Sequence, residues 1–310
     1  FITSVNSFMN TPAGFEMKHG RMVNVQPLEA MFNSSFLVRA FHVVATAGMT
    51  MAFILAAIAA FKLLRNRYSE DRQYHKKALK MTMIVGFLST ILSMVAGDLS
   101  AKFLHKVQPE KLAAYEWHYD TQSHANLVFF GVLNEKTHEV SGAIEIPGLL
   151  SFLADDSFKT KVKGLNDFPK HDLPPMIVHY FFDLMVSMGV FCFVISGIYM
   201  LILFFKKLRK FITNKAVLYA ILLTGPASLL AIEFGWFLTE MGRQPWIIRG
   251  YMRVSQAATQ AGGITLVTIL FGILYFVLMV TAAYVLIRMY RNKPAYQDVD
   301  KVIEKRGGTK

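Results

Sequence analysis

Residues Gly263–Ile287 read GITLVTILFGILYFVLMVTAAYVLI and carry no charged side chain. A helix needs about 20 consecutive apolar residues to cross the hydrocarbon core of a bilayer, so this stretch predicts a transmembrane helix. The whole chain has the same character, because 54% of its 310 residues are hydrophobic and 17% are charged. Soluble domains carry about a quarter charged residues. The sequence therefore predicts an all-α polytopic membrane protein.

Four further apolar stretches are candidates for spans. With the stretch above they give five transmembrane helices, predicted at Phe36–Leu64, Met81–Gly97, Ile177–Phe205, Ala216–Thr239 and Gly263–Ile287. The single cysteine of the chain, Cys192, lies inside the third span. Neither a disulfide framework nor a cysteine-based metal site can be built within this chain.

Lysine and arginine are concentrated in three segments: between the first two spans, between the third and fourth, and after the fifth. They are Lys62, Arg65, Arg67, Arg72, Lys76, Lys77, Lys80, Lys206, Lys207, Arg209, Lys210, Lys215, Arg288, Arg291, Lys293, Lys301, Lys305 and Arg306. The positive-inside rule predicts that all three segments are cytoplasmic. Membrane orientation accounts for the net charge of +12, so no nucleic-acid partner is predicted.

The alternation of spans and loops predicts five consecutive parts. They are the end of a preceding helix with an outer loop (1–35), two transmembrane helices (36–97), a long outer-face loop (98–174), three transmembrane helices (175–290) and a cytoplasmic tail (291–310). The opening FITSVNSFM reads like the tail of a hydrophobic helix, so the chain is expected to be a fragment or one half of a split subunit. Long loops are usually functional or disordered, and hydrophobic patterning in 98–174 predicts partial order.

Ionisable side chains inside the predicted spans mark candidate functional positions. Each costs roughly 2.5–3.5 kcal/mol on insertion scales and therefore needs a partner or a function. The candidates are Arg39, His42, Asp183, Glu233 and Glu240.

His42 and Met185 have similar predicted depths, about 9 and 12 Å from the outer ends of their spans. Such a pair on two helices fits the axial ligands of one low-spin haem. For His42 alone, a hydrogen bond between helices is the competing interpretation. Spacing does not choose Met185 over Met188.

The stretch EFGWFLTEMGRQPW, Glu233–Trp246, places Glu240 where the fourth span leaves the bilayer. Composition alone fits a helix end with a glycine stop, a proline turn and an interfacial tryptophan equally well. The functional interpretation makes Glu240 a carboxylate ligand of a high-spin haem. Arg243 is then a partner for haem propionates and Trp236 an aromatic wall.

Within this stretch, GRQPW at Gly242–Trp246 resembles a hallmark of subunit I of the cytochrome bd-type quinol oxidases. Other motifs resemble that family in the same order. They are NSFMNTPAG at Asn6–Gly14, AFHVVA at Ala40–Ala45, Gly97-Asp98 with Gln108-Pro109 and KLAAYE at Lys111–Glu116, and DLMVSMG at Asp183–Gly189. Phe8 stands where the family usually has Trp, and Asp183 stands where it usually has Arg.

The resemblance implies three haems in the complete protein: a low-spin haem b, a high-spin haem b and haem d. His42 and Met185 would be the axial ligands of the low-spin haem, with Arg39 also in the cofactor-binding set. Glu240 would be the carboxylate ligand in the dihaem oxygen site, with Arg243 and Trp236 around it. Which of the two high-spin haems Glu240 holds stays open.

The resemblance also implies that residues 98–174 form an extracytoplasmic quinol-binding loop. Glu116 would be the base for a quinol hydroxyl, and Lys111 would stabilise the developing anion. Without the motif, an ordinary solvated pair on a loop is the simpler interpretation. The implied activity is oxidation of ubiquinol or menaquinol at the outer face, coupled to reduction of O₂ to water, with generation of proton motive force.

The implied setting is the prokaryotic cytoplasmic (inner) membrane. The expected partners are cytochrome bd subunit II, a small single-helix subunit, the missing N-terminal part of subunit I and membrane quinol. Activity is expected only in the complete complex. A further hypothesis pairs Asp183 with Arg39, since both lie at similar depth on the two helices that carry the haem ligands.

Two other classes compete with the oxidase. A related membrane cytochrome would pass quinol electrons to a partner other than O₂, although GRQPW with Glu240 argues against it. A transporter or haem-free scaffold is the third possibility. Transporters favour helices broken by glycine or proline at mid-membrane, which the five spans do not clearly show.

Overall fold

The computed structural model describes residues 1–65, 72–259 and 261–292. Arg67, one of the predicted cytoplasmic cations, lies outside the described residues. So does the predicted tail from residue 293 onward, with Lys293, Lys301, Lys305 and Arg306.

The described part of the chain is mostly helical, as predicted. Its α-helices are α1 (Ile2–Asn10), α2 (Pro27–Met31), α3 (Phe36–Arg65), α4 (Arg72–Val107), α5 (Pro109–Tyr115), α6 (Leu149–Asp155), α7 (Val178–Phe204), α8 (Lys215–Met241), α9 (Val254–Ala257) and α10 (Ile264–Asn292). Five of them, α3, α4, α7, α8 and α10, are long and apolar enough to cross a membrane. The five predicted spans are therefore confirmed.

The second span is longer than its apolar core, because α4 runs from Arg72 to Val107 rather than from Met81 to Gly97. Its C-terminal end lies on the side predicted from the loop charges to be the outer one, and this side is called the outer end below. This end of α4 is polar and is held by ion pairs. Lys102 Nζ lies 2.7 Å from Asp98 Oδ2, four residues earlier on the same helix, and 2.7 Å from Asp156 Oδ1. Pairs at this spacing support helical turns where hydropathy gives no signal.

Four of the long helices form a bundle. Helix α3 packs against α4 and α8, and α7 packs against the same two helices, so α3 and α7 occupy opposite corners of a square. Small residues allow close approach: a Cβ added at Gly86 would lie 3.0 Å from the Phe53 ring, and one at Gly225 would lie 2.8 Å from Ala57 Cβ. Among the described residues, α10 is exposed along its length.

The outer segment between α4 and α7 has defined structure, including strands that the sequence did not predict. The strands among the described residues are β1 (Glu16–Lys18), β2 (Arg21–Val23), β3 (Leu127–Phe129), β4 (Val132–Asn134), β5 (Glu139–Ser141), β6 (Ile144–Ile146), β7 (Trp246–Ile248) and β8 (Met252–Arg253). Antiparallel pairs join β3 to β6 and β4 to β5. Together with α5 and α6, β3 contributes to a small core that includes Leu112, Leu127, Leu150 and Val162.

Candidate functional site

Two asparagines of α1 organise a polar cluster at the outer end of the bundle. Asn6 Nδ2 donates to Glu240 Oε1 at 2.8 Å, and Arg39 Nη1 donates to Asn6 Oδ1 at 3.0 Å. Asn10 Oδ1 accepts from Lys111 Nζ at 3.1 Å. Asn6 and Asn10 are linked in turn, because Asn10 Nδ2 donates to the Asn6 carbonyl at 2.9 Å. Three residues singled out from the sequence, Arg39, Lys111 and Glu240, are thus brought together by side chains that sequence reasoning missed.

The signal that could have located these asparagines is their spacing. Asn6 and Asn10 lie four residues apart, so a helix places both on one face. Both are buried, at 7% and 1% exposure. Buried amides need hydrogen-bond partners, and a paired amide face on an apolar helix therefore predicts a polar partner elsewhere in the fold.

Glu240 and Arg243 form an ion pair at the C-terminal end of α8. The Arg243 side chain is nearly buried at 8% exposure and its Nη1 also contacts Met9 Sδ at 3.2 Å, whereas the Glu240 side chain is 45% exposed. Trp236 lies one turn before Glu240 on α8 and is 38% exposed. Within the described residues, it takes no part in the hydrogen-bonded cluster.

Lys111 and Glu116 are buried, at 4% and 2% exposure, which excludes an ordinary solvated pair on a loop. Burial, reinforced by the charges of Arg39 and Arg243, lowers the pKa of Lys111 well below its usual range. Burial, with the nearby Asp183, raises the pKa of Glu116 well above its usual range. In the described part of the chain, no hydrogen bond or ion pair joins the two residues, so each has its own surroundings.

Glu116 lies on the α7 side of the outer segment. One carboxylate oxygen is close to the Val128 backbone N–H. The other, Oε2, is buried without a hydrogen-bond partner among the described residues. Lys111, by contrast, reaches the end of α8, where its Nζ also donates to the Thr239 carbonyl at 3.4 Å.

The predicted Arg39–Asp183 ion pair is wrong. Asp183 is fully buried, and its Oδ2 accepts from the Phe130 backbone N–H at 2.6 Å and lies 3.1 Å from His179 Nε2. Arg39 instead donates to Asn6. The physical reason is the square bundle: α3 and α7 lie on a diagonal, and each side chain finds a nearer partner.

His42 and Met185 each lie against a glycine of a neighbouring helix. A Cβ added at Gly97 would lie 4.0 Å from His42 Cε1, and one at Gly235 would lie 3.3 Å from Met185 Sδ. His42 Nδ1 is buried and has no hydrogen-bond partner among the described residues. An orphaned buried imidazole nitrogen is uncommon in a finished core and is consistent with an additional ligand.

The two side chains also lie at one depth. Thr50 Oγ1 donates to the Ser228 carbonyl at 3.3 Å, which sets the level of α3 against the antiparallel α8. Seven residues toward the outer side, about 10 Å, Gly235 on α8 is level with Val43 on α3. The Met185 thioether against Gly235 is therefore level with His42, on the opposite corner of the bundle.

The fold and this site define a multi-pass membrane protein with a buried polar cluster at the outer end of its bundle. Residues 1–294 match the family model of the cytochrome bd terminal oxidase subunit I. The chain belongs to this family.

Individual relatives agree with this assignment. The chain is 40% identical over 300 residues to the putative cytochrome bd menaquinol oxidase subunit I of Bacillus subtilis (strain 168), covering 96% of this chain and 67% of that protein. It is 29% identical over 306 residues to cytochrome bd ubiquinol oxidase subunit 1 of the same organism, covering 93% and 63%. The solved structure of bd oxidase from Geobacillus thermodenitrificans has a TM-score of 0.87 at 46% identity, covering 94% of this chain and 66% of that chain. The chain thus spans about two thirds of the length of these relatives.

Family membership bears on the competing interpretations. The relatives are named as quinol oxidases, and none of these comparisons favours a cytochrome that passes its electrons elsewhere. They give no support to a transporter or a haem-free scaffold either.

Proposed function

We propose that the chain is the haem-carrying subunit I of a cytochrome bd-type ubiquinol or menaquinol oxidase. Quinol is oxidised at the outer face, and its electrons reduce O₂ to water. The observation that carries this proposal is the placement of His42 and Met185 at one level on opposite helices. A buried lysine and a buried glutamate lie in the outer segment above them.

The residues present fit a low-spin haem b. His42 offers an unpartnered buried nitrogen and Met185 a thioether that lies beside a glycine rather than a larger side chain. Imidazole and thioether together are an established ligand pair for low-spin haem iron. His42 and Met185 would hold this group. Met188, one turn deeper, packs instead against the inner core of the bundle.

The end of α8 would serve the oxygen site. Glu240 would be the carboxylate ligand of one high-spin haem, either haem b or haem d. Arg243, held by the ion pair to Glu240, would face propionates, and Trp236 would provide an apolar wall. When bound, these groups would supply the redox chemistry, with oxygen binding and reduction at the high-spin haems and acceptance of quinol electrons at the low-spin haem.

This chain's own contribution to quinol oxidation is proton handling. Glu116 has a raised pKa, so its carboxylate is a stronger base than a solvated glutamate and suits removal of a quinol hydroxyl proton. Lys111 would stabilise the anion that forms. Two quinols lose four electrons and four protons, and one O₂ takes up four electrons and four protons to give two waters.

The side on which protons are released makes the reaction electrogenic. Protons from quinol leave at the outer face, whereas the protons that enter water come from inside. Each charge separated in this way corresponds to about 2.3 kcal/mol per 100 mV. The reaction would therefore generate proton motive force without a separate pump.

The complete enzyme would lie in the prokaryotic cytoplasmic membrane. Its other parts would be cytochrome bd subunit II, a small single-helix subunit and an N-terminal part of subunit I that carries the remaining haem ligand. Activity would require all of the parts that complete the oxygen site.

The test is a dithionite-reduced minus oxidised absorption spectrum of the purified complex, together with oxygen uptake on addition of a short-chain quinol. We expect haem b and haem d bands and quinol-dependent oxygen consumption. A complex without visible absorption would exclude the proposal. Haem b bands without haem d and without oxygen uptake would favour the electron-transfer cytochrome.

A further inference from the structure

His179, which no motif singles out, touches the residues on both sides of Glu116. It lies in the first turn of α7 and is fully buried. We propose that His179 is a positioning residue for Glu116 and fixes the direction of its carboxylate through Tyr115 and Trp117. The inference rests on the proposed function, in which Glu116 takes a proton from quinol.

The first contact is a hydrogen bond to the residue before Glu116. His179 Nδ1 lies 2.6 Å from the Tyr115 carbonyl oxygen. A carbonyl oxygen only accepts, so Nδ1 carries the proton and donates it. The imidazole thereby caps the end of α5, at the point where the chain turns toward Glu116.

The second contact is a ring stack on the residue after Glu116. The Trp117 indole lies on the His179 ring with centroids 3.9 Å apart and planes inclined by 26°. Trp117 has a φ of +47°, in the left-handed region that bulky residues seldom adopt. Its Nε1 also donates to the Met176 carbonyl at 2.8 Å. Packing on His179 therefore helps to keep Trp117 in an unfavourable backbone conformation.

The carboxylate of Glu116 itself has little direct support. Its Oε2 has no hydrogen-bond partner among the described residues, and its other oxygen is close to the Val128 backbone N–H. The direction of the free oxygen therefore depends on the backbone that His179 holds from both sides. Side chains in reactive sites need this kind of support to keep a productive geometry.

Asp183 lies next to the other ring nitrogen of His179. Asp183 Oδ2 lies 3.1 Å from His179 Nε2, one helical turn away, and accepts from the Phe130 backbone N–H at 2.6 Å. The aspartate that replaces the usual arginine therefore has a structural partner. It joins α7 to the outer segment. His179 Nε2 makes no hydrogen bond among the described residues, so the Tyr115 carbonyl and the Trp117 ring orient the imidazole.

The experiment compares two substitutions in the complete purified complex. His179→Phe keeps a ring to stack on Trp117 and loses the hydrogen bond to Tyr115. His179→Asn keeps a donor near the position of Nδ1 and loses the ring. The readouts are kcat and KM with a short-chain quinol, the haem spectrum, and oxygen uptake with ascorbate and tetramethyl-p-phenylenediamine. That amine has no hydroxyl proton to lose and so needs no base.

We expect His179→Phe to lower kcat for quinol about 10- to 100-fold, since a small misplacement of a reacting group has effects of this size. KM, the haem spectrum and amine oxidation should stay near wild type, and His179→Asn should recover part of the loss. His171→Phe is the matched control, because His171 is an exposed histidine of the same outer segment and its backbone lies outside the left-handed region. It should oxidise quinol normally.

A wild-type kcat for quinol in His179→Phe would overturn the inference. Equal losses with quinol and with the amine would overturn it too, because they indicate a general structural defect. If His179→Phe does not assemble, His179→Asn decides by the same ratio of quinol to amine oxidation. Glu116→Gln distinguishes failure of the proposed function from failure of this inference. Full quinol oxidation in Glu116→Gln would reject the proposed role of Glu116. Loss of quinol oxidation in Glu116→Gln, together with normal oxidation in His179→Phe, would reject only the positioning role of His179.

Discussion

Asn6 Nδ2 donates a hydrogen bond of 2.8 Å to Glu240 Oε1, although the two residues are 234 positions apart in the chain. The same asparagine accepts from Arg39. One amide thus joins the helices α1, α3 and α8 at the outer end of the bundle. It orients a carboxylate whose other oxygen is already paired with Arg243.

We predict that Asn6→Leu destabilises the complex and disturbs the proposed oxygen site. The substitution removes the side-chain oxygen that accepts a hydrogen bond from Arg39. It also removes the side-chain nitrogen that donates to Glu240, one of the two groups that orient this carboxylate. An unsatisfied buried polar group costs about 1–3 kcal/mol. The melting temperature of the complex and its content of high-spin haem should both decrease. Gln122→Leu, at an exposed amide of the outer segment, is the control, and an unchanged melting temperature in Asn6→Leu would contradict the prediction.

Met185→Leu should remove the low-spin haem b band or convert it to a high-spin spectrum. Leucine fills a similar volume but offers no lone pair to iron. Met188→Leu is the matched control one helical turn away and should keep the wild-type spectrum. If the two variants behave alike in a reduced minus oxidised spectrum, Met185 is not the ligand.

Lys111→Met should lower quinol oxidation and reduce the rise of stability with pH. The folded pKa of Lys111 is lowered, so the unfolded state binds more protons than the native state between that pKa and the unfolded value of about 10.4. The stability that Lys111 contributes is therefore lost as pH falls through the folded pKa. Losing a donor to a developing anion should lower kcat on the order of 10²-fold.

Melting temperatures at neutral and alkaline pH measure the stability effect of Lys111→Met. The difference between the two should be smaller than in wild type. Lys106→Met, at an exposed lysine paired with Asp155, should leave the pH dependence unchanged. The same pH dependence in Lys111→Met and in wild type would show that Lys111 keeps an ordinary pKa.

Glu116→Gln should have the opposite effect on pH dependence. The folded pKa of Glu116 is raised, so its contribution to stability is present below the unfolded value of about 4.3 and is lost as pH rises through the folded pKa. Glutamine does not ionise, so the variant should be more stable than wild type at alkaline pH. Its kcat for quinol should fall by about 10²- to 10⁴-fold, the usual contribution of a general base.

The matched control for Glu116→Gln is Glu135→Gln, at an exposed position of the outer segment. It should retain both quinol oxidation and the wild-type melting curve. A Glu116→Gln complex that melts like wild type at every pH would show that the Glu116 carboxyl ionises normally in the folded protein.

Hydropathy was sufficient to predict the transmembrane helices, because each helix must have enough apolar side chains to lie in the hydrocarbon core of the bilayer. It could not give the outer end of α4, where Lys102 and Asp98 stabilise helical turns outside the hydrocarbon. The strands of the outer segment are each three residues long, which is too short for an alternating pattern to be detected.

The cluster around Asn6 and the environment of His179 depend on tertiary contacts. Depth along a helix can be calculated from the sequence, and it placed His42 and Met185 at one level. Depth does not tell which helices are neighbours, and for that reason the pair of Arg39 with Asp183 was wrong. The contacts of His179 with Tyr115 and Trp117 could not be predicted without knowing how the outer segment runs across α7.

The long separation between Asn6 and Glu240 has a consequence for biosynthesis. Ribosomes add about 5–20 residues per second, so Glu240 is made roughly 10–50 s after Asn6. During that interval Arg39 can already donate to the side-chain oxygen of Asn6. The side-chain nitrogen of Asn6 does not yet have the Glu240 carboxylate as its acceptor. The outer cluster can therefore close only after the whole of α8 has been synthesised.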